Sequence, residues 1–211
     1  MQTFYIVAKP NQLKSMVKSI VSNILVCSFF FLIAVLGLPV DQALSTDTRP
    51  DSWAFLGGYG QSHPGWGQTT QRVETIDLIP RYNHIVFDEI GSDWYKGFHS
   101  VFFELPVSLI LDPETSAMIG INFLANYTFT SNEQWQPYIF GGGGPVYIFA
   151  DIPGMGSNLN GNYQFGIGLE YVLNKQNHLL FECRYQHISN AGMSEPNEPL
   201  NSSKFIIGVT F

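Results

Sequence analysis

The feature that most constrains this chain is the alternation of apolar and polar residues through its C-terminal part. In Leu179–Gln186 the odd positions are apolar or aromatic, and the even positions include Glu182 and Arg184. Tyr163–Leu173 and Phe205–Phe211 repeat the pattern. Because successive side chains of a β-strand point to opposite faces, a period of two predicts strands with one apolar and one polar face. We therefore expect an all-β fold.

Five further segments have the composition of strands, although their alternation is weaker. They are Trp53–Gly60, Gln71–Tyr82, His99–Leu111, Ser116–Thr130 and Trp135–Ala150. Turn-forming residues separate neighbouring segments, as in Asp112-Pro113-Glu114 and Asn174–Asn177. The pattern is least regular in the second segment, where Glu74 and Asp77 have opposite parity. The total is eight predicted strands.

An alternating pattern is compatible with two kinds of barrel. In a soluble barrel the apolar face fills the interior, whereas in a membrane barrel it contacts lipid and the charged face lines the lumen. The apolar faces here are large and aromatic, and Trp53 and Trp135 stand where interfacial girdles are expected. We predict an eight-stranded antiparallel transmembrane β-barrel. A soluble barrel that binds an apolar ligand in its interior is the alternative.

The N-terminal residues have the features of a secretory signal. Three lysines precede an apolar run and a stretch of small residues: Lys9, Lys14, Lys18, residues 20–40 and Ala43-Leu44-Ser45. A basic region, an apolar region and small residues at the end predict a cleaved signal peptide over residues 1–45, with the barrel domain over 46–211. An uncleaved anchor is the alternative, because the run is about long enough to span a bilayer.

Charge and cysteine content exclude several classes of function. With 17 Asp+Glu against 10 Lys+Arg, the chain lacks the basic surface that binds nucleic acid. Cys27 falls in the predicted signal peptide, which leaves Cys183 without a disulfide partner. Four histidines have no metal-ligand spacing and are expected at the surface or the rim: His63, His84, His99 and His178. We expect no metal and no cofactor.

A group of charged residues on the polar faces is expected to have a structural role. We predict that they form a cluster inside the lumen: Glu104, Glu170, Glu182 and Arg184.

His187 and Ser189 have the clearest chemistry in the sequence. They are two residues apart near the end of the seventh predicted strand, so their side chains share one face about 6.6 Å apart. A serine hydroxyl becomes a nucleophile when a base takes its proton, and histidine has a pKa suited to that role. Both continue the odd, lipid-facing set, where polar groups are costly unless they are used. The alternative is that both residues lie at a solvent-exposed rim of the barrel and have no chemical role.

The residues around this pair resemble a family signature. His187–Gly192 reads His-Ile-Ser-Asn-Ala-Gly and is followed by Pro196-Asn197, as in the lipid A 3-O-deacylase (PagL) family. The resemblance extends more loosely through Pro137–Val146 and Gly161–Leu173. It implies an outer-membrane esterase that hydrolyses the 3-O acyl chain of lipid A in lipopolysaccharide.

The resemblance also assigns roles to residues. It implies Ser189 as the nucleophile and His187 as the base. Backbone amides beside Ser189, together with Asn190 or Asn197, are candidates for stabilising the oxyanion.

One position departs from the family pattern, because the glutamate that completes the family's triad falls on Asn201 here. An amide can orient the histidine but cannot stabilise its cation as a carboxylate does. A hairpin centred on Ser194 would place Asn201 opposite His187, and paired residues share a face. Glu198 is the alternative acid, although its even parity would require a bulge. An impaired site is the third possibility, in which case the protein is a non-catalytic barrel with a relic site.

The predicted signal peptide can be tested directly. We expect the mature protein to begin near Thr46 and to fractionate with the outer membrane. N-terminal sequencing of the protein purified from that fraction measures the cleavage site. Recovery of Met1 from the inner-membrane fraction would instead identify an uncleaved anchor.

Overall fold

The computed structural model describes residues 50–211, so the predicted signal peptide lies outside the described residues. The described part contains ten β-strands and one 3-10 helix, Asp93–Tyr95. The strands are β1 Ser52–Ser62, β2 Glu74–Ile90, β3 Gly97–Glu104, β4 Val107–Asp112, β5 Ser116–Gly120, β6 Asn122–Phe129, β7 Trp135–Ile148, β8 Leu159–Val172, β9 His178–Ser189 and β10 Leu200–Thr210. Within residues 50–211, no helix has the length and apolar character needed to cross a membrane.

The strands form a closed antiparallel ring, because β1 pairs with both β2 and β10. Strands β3 and β4 both pair with β2 and occupy one place in the ring. In the same way, β5 and β6 both pair with β7. Leu105 and Pro106 separate β3 from β4, where proline supplies no backbone N–H to the ladder. The ring therefore has eight places, which confirms the predicted eight-stranded barrel.

The second strand is longer than the sequence predicted. It continues to Ile90 rather than ending at Tyr82, and only residues 91–96 connect it to β3. Its pairing with β3 has register shifts between Ile85 and Ile90. Such shifts interrupt the period of two, which explains why this part was not recognised as a strand.

Inward and outward faces follow the alternation that the sequence shows. In β9 the side chains of Glu182 and Arg184 are buried in the interior, whereas Phe181 is exposed on the outer wall. Phe165 and Phe205, on neighbouring strands, are more than 60% exposed. The outer wall is therefore apolar and the interior carries the charges, as in a membrane barrel.

The weak alternation of β2 also has an explanation. Glu74 lies at the outer rim, where Arg72 pairs with it at 2.6 Å. Asp77 faces the interior, where its carboxylate accepts hydrogen bonds from Lys204 (2.9 Å) and Ser108 (2.5 Å). The two carboxylates therefore lie on opposite sides of the barrel wall.

A network of buried charges occupies the middle of the lumen. Arg184 donates from both terminal nitrogens to Glu104, at 3.0 Å each. Arg81 donates to Glu182 at 2.6 Å, and the Tyr138 hydroxyl donates to the same oxygen at 2.6 Å. The four charged side chains are at most 2% exposed. Three members of the predicted lumenal cluster, Glu104, Glu182 and Arg184, therefore form one network together with Arg81. The fourth, Glu170, is buried as well, but its carboxylate contacts His178.

His178 lies at the rim of the barrel as the sequence predicted, since it is the first residue of β9, but its side chain is buried. It is 6% exposed, its backbone N–H donates to Thr210 at 2.8 Å, and its imidazole contacts the carboxylate of Glu170. Even-numbered residues of β9 face the interior, so the His178 side chain points inward. There the Glu170 carboxylate replaces contacts with water. His84 and His99 are exposed and His63 is half-buried, in agreement with the prediction.

The glycines of β7 permit close approach to a neighbouring strand. A Cβ atom at Gly144 would lie 2.0 Å from the carbonyl oxygen of Ile121, and one at Gly143 would lie 2.1 Å from that of Asn162. Any side chain at these positions would displace the adjacent backbone.

Ser52 and Thr210 lie at the same end of the barrel, which is the end where the described chain begins and finishes. The connections within residues 63–73, 113–115, 149–158 and 190–199 lie at the opposite end. The end of β9 therefore lies at the end of the barrel opposite to Ser52 and Thr210. It carries His187 and Ser189, whose side chains belong to the outer wall.

The buried charge network predicts an asymmetry between two arginines. Arg184→Ala leaves Glu104 and Glu182 with less compensation in the interior and should lower the free energy of unfolding by about 3–5 kcal/mol. Arg72→Ala, at the exposed rim, should change it little. Urea unfolding in detergent micelles, followed by heat-modifiable migration, measures both. Equal midpoints for the two variants would contradict the structural role of the network.

Candidate active site

The His187 and Ser189 side chains meet at the end of β9. His187 Nε2 lies 3.1 Å from Ser189 Oγ, within the range at which a base takes a proton. Ser189 is 8% exposed and His187 is half-buried. The pair is thus brought together in a part of the outer wall with little access for water, where electrostatic interactions are stronger than in bulk solvent.

Asn201 lies directly opposite His187 in the pairing of β9 with β10, as the sequence predicted. Its Oδ1 is 2.8 Å from His187 Nδ1. An amide oxygen only accepts, so Nδ1 of His187 must carry the hydrogen in this contact. Nε2 is then the unprotonated nitrogen and faces the serine hydroxyl. The arrangement fixes the tautomer in which His187 can accept the Ser189 proton.

Glu198 is held away from the histidine. Its carboxylate accepts a hydrogen bond from the Thr70 hydroxyl, and its backbone N–H donates to the carbonyl of Gly154 at 2.8 Å. The structure therefore places Asn201 beside His187, whereas the Glu198 carboxylate contacts Thr70 in the β1–β2 connection.

The connection after Ser189 is organised by Asn190. The Oδ1 atom of Asn190 accepts from the Gly192 N–H at 2.9 Å, and Nδ2 donates to the Ser194 carbonyl at 2.7 Å. Ala191 and Gly192 both have positive φ, 55° and 74°, which turns the chain sharply. Asn190 uses its side chain to shape this turn, which is a structural role.

Asn197 contacts the same turn from the other side. Its Oδ1 accepts from the Asn190 backbone N–H at 2.9 Å, which leaves its Nδ2 as the donor end of the amide. Among residues 50–211, no hydrogen-bond acceptor is found for that Nδ2. Of the two predicted side-chain candidates, Asn190 has its Nδ2 engaged by the Ser194 carbonyl, whereas the described residues offer no acceptor to Asn197 Nδ2.

Three residues that the sequence did not single out contact Asn201. The Tyr185 hydroxyl donates to its Oδ1 at 2.5 Å. Its Nδ2 donates to the carbonyl of Trp66 at 2.8 Å and to Thr69 Oγ1 at 2.9 Å. Tyr185 could have been found from the odd parity that it shares with His187. Trp66 and Thr69 had no such signal, because they are more than 130 residues away in sequence.

The site opens toward the apolar outer wall. In the pairing of β8 with β9, Ser189 stands beside Gly161 and His187 stands beside Tyr163. Tyr163 is 58% exposed, and its ring lies near Gly161, where a Cβ atom would be 3.2 Å from it. On the side of β8 the pair therefore borders the apolar outer wall.

Comparison with known proteins agrees with this architecture. A crystal structure of the outer membrane enzyme PagL is 18% identical, covers 75% of this chain and 98% of that chain, and has a TM-score of 0.52. Neisserial surface protein A (NspA) is 13% identical, covers 76% of this chain and 95% of that chain, and has a TM-score of 0.54. A search of curated protein sequences found no match. At these identities the structural likeness shows the fold.

The family comes from a separate comparison. Residues 81–210 match the family model described as lipid A 3-O-deacylase (PagL). That region contains β9, β10 and every predicted site residue, and it covers more than half of the chain. The protein is an outer-membrane β-barrel, and the chain belongs to the lipid A 3-O-deacylase (PagL) family.

Proposed function

We propose that this protein removes the ester-linked acyl chain from the 3-position of lipid A. The observation that carries the proposal is the continuous contact from Ser189 through His187 to Asn201 on the outer wall of the barrel. Membership of the deacylase family supports an ester of lipid A as the substrate. The apolar wall beside the pair suits a substrate whose acyl chains lie in the bilayer.

The proposed reaction has two halves. Ser189 Oγ attacks the carbonyl carbon of the ester while His187 Nε2 takes its proton. The bond from that carbon to the 3-oxygen of the sugar breaks, and His187 returns the proton to the departing oxygen. Water then attacks the acyl-enzyme with His187 again as base. The fatty acid is released and the Ser189 hydroxyl is restored.

Stabilisation of the tetrahedral intermediate falls to groups beside Ser189. Asn197 Nδ2 is the preferred side-chain donor because its Oδ1 already accepts from the Asn190 N–H. In the turn after Ser189, the backbone N–H groups of Asn190, Gly192 and Met193 already have acceptors, so the Ala191 N–H is the backbone candidate. Loss of one oxyanion donor typically lowers kcat about 10²–10³-fold.

The neutral third residue has a chemical consequence. Asn201 holds His187 in the required tautomer, but it contributes no negative charge to the imidazolium that forms during attack. In the proposed enzyme the third residue therefore only orients His187, whereas a carboxylate would both orient it and stabilise its positive charge.

The proposed orientation in the membrane follows from the ends of the barrel. With the termini in the periplasm, the far end that carries Ser189 is level with the outer leaflet, where lipopolysaccharide resides. The connections at the end with the termini are short, 91–96, 130–134 and 173–177, as periplasmic turns usually are.

The nucleophile and the base are tested by two substitutions. Ser189→Ala and His187→Ala should each reduce release of the 3-linked fatty acid from purified lipid A to background, because loss of either group removes several orders of magnitude in rate. Ser194→Ala and His84→Ala are the matched controls and should retain activity. Heat-modifiable migration verifies folding. Unchanged release in either site variant refutes the assignment.

The third residue is tested by a second pair. Asn201→Ala should lower the initial rate by roughly hundredfold or more, because His187 loses the group that fixes its tautomer. Glu198→Ala should change the rate little, since its carboxylate contacts Thr70. The reverse result would assign the role to Glu198. A wild-type protein without any activity on lipid A would favour the relic barrel.

A further inference from the structure

The connection between β1 and β2 folds over the outer wall onto Asn201. The backbone of Asn201 joins this connection twice, since His63 N–H donates to the Asn201 carbonyl at 2.9 Å and Asn201 N–H donates to Thr69 Oγ1 at 2.9 Å. The segment is compact in itself, because the Gly65 N–H donates to the Thr69 carbonyl at 2.9 Å. As a result Asn201 is only 4% exposed although it belongs to the outward set.

The contacts of the Asn201 side chain fit one orientation of its amide. Both hydrogens of Nδ2 have acceptors, the Trp66 carbonyl at 2.8 Å and Thr69 Oγ1 at 2.9 Å. The oxygen accepts from Tyr185 and faces His187 Nδ1. A flipped amide would place its oxygen against the Trp66 carbonyl and its donors against the Tyr185 hydroxyl and His187. The connection thereby selects the orientation that the base requires.

Further contacts fix the segment to the barrel. His63 Nε2 lies 2.7 Å from Ser203 Oγ, and Ser203 is two residues further along β10 than Asn201. The His63 and Trp66 rings pack with centroids 4.2 Å apart, and Trp66 stacks on Tyr185 at 6.4 Å. Gly67 has a φ of 57°, and a Cβ atom there would be 3.3 Å from Asn201 Nδ2. The segment is thus anchored on both sides of the point where it touches the amide.

We propose that the segment His63–Thr69 is a clamp that holds the Asn201 amide with Oδ1 toward His187, and that Thr69 is its principal positioning residue. This inference rests on the proposed function, because the clamp acts on Ser189 only through Asn201 and His187. Thr69 is buried and accepts from both the backbone and the side chain of Asn201. Removing its hydroxyl takes one acceptor from Nδ2 and the acceptor of the Asn201 backbone N–H, which weakens the hold on the amide orientation.

The test compares two neighbouring threonines in the full-length barrel. Thr69→Val removes the acceptor at nearly constant volume, and Thr69→Ser restores a hydroxyl. Thr70→Val is the matched control, because the Thr70 hydroxyl contacts Glu198. Two rates are measured, labelling of Ser189 by a fluorophosphonate probe and release of fatty acid from lipid A. The ¹⁵N shifts of the His187 imidazole report its tautomer without any turnover.

We expect Thr69→Val to lower both rates about ten- to a hundredfold, through kcat with little change in KM, since misplacement of a catalytic group has effects of this size. Its His187 should lose the dominance of the Nδ1-protonated tautomer. Thr69→Ser should recover most of the rate, and Thr70→Val should match wild type. A wild-type rate and tautomer in Thr69→Val would overturn the clamp, as would an equal loss in Thr70→Val.

Failure of the clamp and failure of the proposed function give different results. If wild-type protein reacts with the probe but not with lipid A, the proposed substrate is wrong, and the response of labelling to Thr69→Val still decides the clamp. If the probe does not label wild-type Ser189, the His187 tautomer in the Thr69 and Thr70 variants decides it. Activity on lipid A that survives Thr69→Val retains the function and rejects the clamp.

Discussion

Closure of the hydrogen-bonded sheet is the constraint on which the rest of this structure depends. Backbone N–H and C=O groups cannot be left unpaired in hydrocarbon, so a sheet that spans a membrane must have no free edge. The pairing of β1 with β10 removes that edge. Closure also fixes every register around the ring, and with the registers it fixes which residues face lipid and which face the lumen.

Polar groups are accommodated in two different ways on the two sides of the wall. Inside, Arg81 and Arg184 are compensated by Glu104 and Glu182, and each carboxylate contacts both guanidinium groups. Outside, the polar residues of the site belong to a face that is otherwise apolar. There the β1–β2 connection covers Asn201, and its neighbours satisfy the hydrogen bonds of the amide. The buried charges compensate one another inside the barrel, whereas the outer polar residues form the proposed site.

The surroundings of Asn201 suit an amide at the position where the family resemblance implied a glutamate. A carboxylate at position 201 would place a second oxygen toward the Trp66 carbonyl, where the Asn201 amide now donates. The connection therefore supplies acceptors suited to an amide, and the amide in turn presents its oxygen to the histidine. This agreement between Asn201 and a distant segment supports the proposed role of Asn201 in orienting His187. The proposed chemistry then depends on orientation more than on charge.

The sequence by itself determined most strand positions, the two faces and the pair at the end of β9, because a period of two and a spacing of two are local properties. It did not show the breaks at Leu105-Pro106 and Ile121, which divide the predicted strands His99–Leu111 and Ser116–Thr130. It also placed Asn201 opposite His187, since a single hairpin joins them. The sequence did not predict that β2 extends beyond Tyr82, because register shifts interrupt the alternation there. Only the tertiary structure showed that Arg81 joins the lumenal cluster and that Glu170 contacts His178. It also showed that Trp66 and Thr69 contact Asn201. Glu170 and His178 belong to one hairpin, whereas the other contacts join residues far apart in sequence that closure of the ring brings together.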